Sequence, residues 1–151
     1  HVHGAYVGRA GDDMRPALEI LFGALRDGRQ AFPGAFERVR LHFVGTNYST
    51  EQEPRRTVAP VAAHLGCGDA VAETAARVPY FTALQVLKDA SFLVLIGSND
   101  PTYTASKVYP YLFAGKPIVA VVHEASSLVP VLKSAPNCVL VTFGEADADR
   151  A

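Results

Sequence analysis

The chain has 151 residues, a length that fits one domain able to bury about 70% of its unfolded surface. Apolar residues make up 49% and charged residues 19%, which excludes a disordered or acidic solvating segment. Lys+Arg number 14 against 15 Asp+Glu, so there is no cationic excess for a nucleic-acid polymer or an anionic membrane.

The longest apolar runs, Phe92–Ile96 and Ile118–Val122, are far short of the roughly twenty residues of a bilayer span. No basic-then-apolar leader opens the chain. Cys67 and Cys138 bear no spacing relation to each other or to a histidine cluster, so neither a zinc site nor a disulfide framework is readable. These features predict a reduced, cytoplasmic domain with no metal and no transmembrane segment.

In chain order, His3–Gly8 reads as a first strand ending in Tyr-Val-Gly. From Arg15 the period changes to a helix: Leu18, Leu21, Phe22 and Leu25 share one face, and Pro16 sits in the first turn, where its missing N–H costs nothing. Val39–Gly45 is a strand whose partial alternation makes it less central than the others. Thr46–Thr57 is polar and loop-like, followed by a short helix over Val58–Leu65 and a weak strand at Val71–Thr74.

The second half is clearer. Pro79 opens a helix with Tyr80, Ala83, Leu84 and Leu87 on its predicted face. Phe92–Gly97 and Pro117–Val122 are continuous apolar runs, as expected of parallel strands covered on both sides. Helices are predicted over Ser106–Ala114 and Ser126–Ser134, and a last strand over Cys138–Phe143. Strands alternating with helices in this way predict an α/β fold with a doubly wound, parallel, six-stranded sheet.

Ligands of such sheets bind outside the carboxyl ends of the strands, so function is sought in the loops there. The loop Gly8-Arg9-Ala10-Gly11 lacks the G-x-G-x-x-G dinucleotide fingerprint, which argues against a standard NAD site. Arg9 emerges at the ligand edge, where a guanidinium can fork onto phosphate oxygens or simply be solvated. Asp12-Asp13 has no third carboxylate and late lysine to make a phosphoacceptor site, and reads as a solvated helix-start cluster. Gly97–Lys107 joins a buried strand to a helix whose first turn would carry Ser106 and Lys107. That arrangement suits an anion, with Thr104 or Ser106 as the helix cap. His123 and Glu124 lie at the same edge and could touch a sugar, while His42 and His64 have no ligand-spaced partners and read as structural.

At four segments the chain resembles the C-terminal, donor-binding, Rossmann-like domain of GT-B glycosyltransferases of group 1, the family-4-like class. They are Tyr6-Val7-Gly8-Arg9, Arg77-Val78-Pro79-Tyr80, Phe92–Gly97, and the run from Ser106-Lys107-Val108-Tyr109 to Gly115-Lys116-Pro117-Ile118. The last resembles the SK-x-x-x-Y-L-x-x-G-x-P-I variant of transferases that build polysaccharides. The resemblance implies that Gly8 and Arg9, with Arg15 near a second basic position, serve the donor diphosphate. It implies that Arg77 and Val78 read the nucleobase edge, and that Tyr103, Thr104, Ser106 and Lys107 face the sugar and diphosphate. Where many members carry two glutamates eight positions apart, this chain has Thr102 and Pro110, so neither carboxylate role has a holder at those positions.

The resemblance therefore implies a glycosyltransferase donor domain over residues 1–151, excised from a longer two-domain enzyme. Its substrate would be a nucleoside-diphosphate sugar and it would need no cofactor. Its partner would be an N-terminal acceptor domain of the same protein, without which the domain is expected to be inactive. The alternative is a non-catalytic nucleotide-binding or regulatory domain of the same fold, and a sugar-nucleotide epimerase is third. Nucleobase, sugar, acceptor and stereochemical outcome stay open.

Overall fold

A computed structural model describes residues 1–49 and 54–144. The order is β1 (Val2–Val7), α1 (Arg15–Ala31), α2 (Pro33–Phe36), β2 (Val39–Val44), α3 (Ala59–His64), β3 (Val71–Thr74) and α4 (Tyr80–Asp89). It continues with β4 (Phe92–Ile96), α5 (Val108–Phe113), β5 (Ile118–His123), α6 (Leu128–Ser134) and β6 (Cys138–Phe143). Single 3-10 turns precede α1 at Asp12–Met14 and β3 at Gly68–Ala70.

All strand pairs are parallel, in the order β3-β2-β1-β4-β5-β6. The order reverses between β1 and β4, which makes the C-terminal ends of those strands the crevice of the sheet. The sheet is the doubly wound parallel one that the alternating pattern predicts.

Period-2 alternation sends each strand's side chains to two cores. On one face, Tyr6, Leu41, Phe43 and Ile96 pack with Leu18, Leu21, Phe22 and Leu25 of α1 and Ala62 of α3. On the other, Ala5, Leu93, Leu95 and Ala120 pack with Leu87, Val108, Tyr111, Leu128 and Leu132 of α4, α5 and α6. The last four residues of β4, Leu93–Ile96, are buried because helices cover both its faces.

Three local expectations change. β1 begins one residue earlier than read and ends at Val7, because Val2 starts the register with Val39. Tyr80 is on the predicted buried face of α4 but is 69% exposed, since only Leu87 of that helix is fully covered. The helix expected from Ser106 starts at Val108, as Ser106 and Lys107 form a turn. Neither Thr104 nor Ser106 caps it with a side chain. The carbonyls of Ala105 and Ser106 take the amides of Val108 and Tyr109 instead, at 3.1 and 3.3 Å.

Candidate functional site

The C-terminal ends of β1 and β2 and the loop between β3 and α4 enclose an open cavity of about 320 Å³. Gly8, Arg77 and Val78, all singled out in the sequence, line it together with Tyr48 and Tyr80. Arg77 lies over the Tyr48 ring, its guanidinium carbon 4.6 Å from the centroid, so a cation and an aromatic face meet at the rim. Gly8 has φ +127°, a conformation open to glycine and strained for other residues.

Beside this cavity stands a polar cluster built from the loops after β1 and β4. Arg9 forks onto the Asp13 carboxylate through both terminal nitrogens. Burial works against the Asp13 charge, but hydrogen bonds from Arg9 and Ser98 outweigh it and hold the carboxyl below its usual range. Asp13 is thus a half-buried partner of Arg9 rather than part of a solvated pair; Asp12 alone is exposed, 3.7 Å from Arg55. The Asn99 amide donates to the Asp13 carbonyl at 2.8 Å and ties the two loops across the point where strand order reverses.

Lys107 reaches into the same cluster. Its Nζ donates to the Tyr6 hydroxyl and lies 4.2 Å from the Tyr6 ring centroid. Tyr6 in turn donates to the Arg9 carbonyl. A Cβ on Gly8 would stand 2.8 Å from Nζ, so the lysine end is packed directly against that glycine. Tyr103, half-buried, faces Arg9, and burial pushes its phenol above the ordinary value.

The other expected residues lie outside this cluster. Arg15 is exposed and bonds Glu19 one turn along α1 at 2.7 Å. Thr104 pairs with Ser127 at 3.1 Å, joining the loops after β4 and β5, and Ser106 is exposed. His123 is buried, accepts the Ala125 amide through Nδ1 at 3.1 Å and sets its ring edge-on to Phe143. Glu124 is exposed, and its amide donates to the Phe143 carbonyl. Thr102 bonds Asp100 through amide and hydroxyl, at 2.8 and 2.7 Å, in a local turn. Pro110 borders a second cavity of about 290 Å³ between α4 and α5, which shares Tyr80 with the first.

Sequence reasoning passed over Tyr6, Asp13, Tyr48 and Ser98 as site-builders. The one available signal was position, since each lies at or just beyond the carboxyl end of a strand.

Among the described residues no helix is long and apolar enough to cross a membrane, and no group of three metal-ligating side chains converges. No family model matches the sequence, and no curated protein sequence matches it. Solved structures do. The chain superposes on WaaG, a glycosyltransferase involved in lipopolysaccharide biosynthesis, over 95% of its length, with TM-score 0.63 and 15% identity. It superposes on a UDP-forming α,α-trehalose-phosphate synthase from Burkholderia xenovorans over 94%, with TM-score 0.62 and 13% identity. It spans about a third of each of those chains, 34% and 33%. At such identity the likeness establishes the shared fold, which is the fold the sequence resemblance implied.

Proposed function

We propose that this chain is the donor-binding domain of a GT-B glycosyltransferase and takes a nucleoside-diphosphate sugar at the carboxyl ends of β1, β2 and β4. The observation that carries this reading is the cavity that has Gly8, Arg77 and Val78 in its wall, with the Arg9 cluster beside it. The fold shared with two proteins whose names describe glycosyl transfer, one of them UDP-forming, supports the same assignment.

In this reading the base is received at the rim of the cavity formed by Val78 and by Tyr48 with Arg77 over its ring. The diphosphate then lies at the Gly8–Arg9 turn, within reach of Arg9 and of the Lys107 amine that fills the space beside Gly8. Arg9 is already oriented by Asp13, so little side-chain entropy is lost when an anion draws it. During transfer the leaving diphosphate gains charge, and a fixed guanidinium stabilises it electrostatically. His123 spends Nδ1 on a backbone amide, which fits a positioning role for the loop after β5. The acceptor would be held by a further domain of the protein, and this chain alone would bind donor without transferring sugar.

The test is a thermal-shift panel of UDP, GDP, ADP and dTDP at millimolar concentration. A cognate nucleotide at a hundredfold excess over its dissociation constant stabilises the fold by about 2.7 kcal/mol. Arg9→Ala is expected to remove roughly 1.5–3 kcal/mol of that binding, the value of a charge-assisted hydrogen bond. A melting temperature that none of the four moves would overturn the assignment. The non-catalytic alternative predicts the same binding, and draws its support from Thr102 and Pro110 standing where many transferases carry glutamates. Sugar transfer by the complete protein separates the two.

A further inference from the structure

Lys107 has an unusual electrostatic position for a lysine at the edge of an anion site. Its Nζ touches the Tyr6 hydroxyl and lies 3.5 Å from the Arg9 carbonyl, yet none of the ion pairs among the described residues includes it. The nearest carboxylate, Asp13, is already forked by Arg9. The Arg9 guanidinium itself repels a second cation. The Tyr6 phenol that it touches, Tyr103 beside Arg9 and Tyr111 on the Val7 amide have ionisations pushed upward by burial and are neutral. An ammonium here is desolvated without a counter-charge, and the place where a counter-charge could arrive is the Gly8–Arg9 turn against which it packs.

We propose that an anion seated at the Gly8–Arg9 turn is bound together with a proton from solvent, which the Lys107 amine takes up to become the ammonium. This coupling rests on the reading of the site as a diphosphate site. Burial first, and Arg9 second, bring the free Lys107 down from 10.5 to about 7, with Asp13 opposing them. Two opposite charges about 5 Å apart near a protein surface attract enough to raise such a value by about two pH units. Below about pH 7 the amine already carries its proton and affinity is flat. Above it, uptake approaches one proton and affinity falls about tenfold per pH unit, until the bound-state value is passed.

The experiment uses UDP-glucose, GDP-mannose, ADP-glucose and dTDP-glucose, whose diphosphates keep a constant charge from about pH 6 to about pH 8.5. Calorimetric affinity for whichever binds is expected to be flat at the acid end and to weaken about sixfold over the last pH unit. Buffers of different ionisation heat are expected to report uptake of about 0.8 proton there. Lys107→Met is expected to bind more weakly at the acid end and to lose the pH slope. Independently of that variant, the Lys107 Cε carbon resonance is expected to titrate near pH 7 in the free protein and higher with ligand. Binding without a pH slope, a slope that survives in Lys107→Met, or a free midpoint near the ordinary 10.5 would each overturn the coupling while leaving the donor site standing. If none of the four sugar nucleotides binds even at the acid end, the site reading fails and the coupling with it.

Discussion

Thr46 donates its hydroxyl to the Glu73 carboxylate at 2.5 Å, and both side chains are buried. The same carboxylate accepts the amides of Thr57, Val58 and Ala59 at 3.0, 3.0 and 2.8 Å. Glu73 therefore caps α3 from β3, a strand later in sequence, and pins both ends of the β2–α3 connection that forms one wall of the cavity. A buried anion with this many donors is satisfied, and its charge suits the positive end of the helix.

Glu73→Gln is expected to destabilise the fold by on the order of 3 kcal/mol, because an amide nitrogen cannot accept from backbone N–H groups and leaves donors unpaired. Urea denaturation measures this. A change within about 0.5 kcal/mol, the range of an ordinary surface substitution, would show that the loop has another anchor.

The Arg9–Asp13 pair predicts an acid dependence. The folded carboxyl lies below its ordinary value of 3.8, so its stabilisation is complete above about pH 4 and is lost as pH falls through the folded value. Asp13→Asn is expected to cost about 1 kcal/mol near neutrality, since both side chains are about 30% exposed and water screens the pair. The gap between wild type and variant is expected to close in denaturation curves recorded at progressively lower pH. A constant gap would mean that the loss is one of shape.

Gly8 and Gly23 are expected to respond to alanine with opposite signs. At Gly8 the φ of +127° and the Lys107 amine 2.8 Å from a new Cβ predict a loss of roughly 1–3 kcal/mol. At Gly23, inside α1 with nothing within 4 Å of the added carbon, alanine is expected to stabilise by about 0.5–1 kcal/mol. Paired melting curves test the contrast, and two changes of the same sign would contradict it.

Tyr111 sits in the segment that resembles the transferase signature, and its hydroxyl accepts the Val7 amide at 2.8 Å across the sheet. Burial pushes its phenol far above the ordinary value, with the Val7 bond opposing, so the ring is neutral at any working pH. Tyr111→Phe leaves that amide unpaired and is expected to cost about 1–3 kcal/mol. Faster hydrogen exchange at Val7 than at Tyr6 in the variant would locate the loss. Unchanged protection at Val7 would assign the hydroxyl no structural part.

The strands and most helices were legible in the amino-acid order, because apolar periodicity is a local property: Phe92–Ile96 and Ile118–Val122 are covered on both faces, and Leu18 to Leu25 mark one helix side. The loops that hold the site followed from strand ends, and Gly8, Arg77 and Val78 do share a cavity. What periodicity could not reveal were partners far apart in sequence. Glu73 is one polar residue in a weak four-residue strand, and its donors lie 14 to 27 positions upstream. Lys107 read as a charge beside an anion at a helix start, and its contact with Tyr6, 101 positions earlier, had no trace in that reading. Tyr80 read as core, yet its helix is covered only around Leu87. Sequence determined which segments bury themselves, since burial follows from composition repeated over a few residues. Tertiary structure decided which charge meets which partner, because a single hydrogen bond between distant loops leaves no periodic trace in the chain.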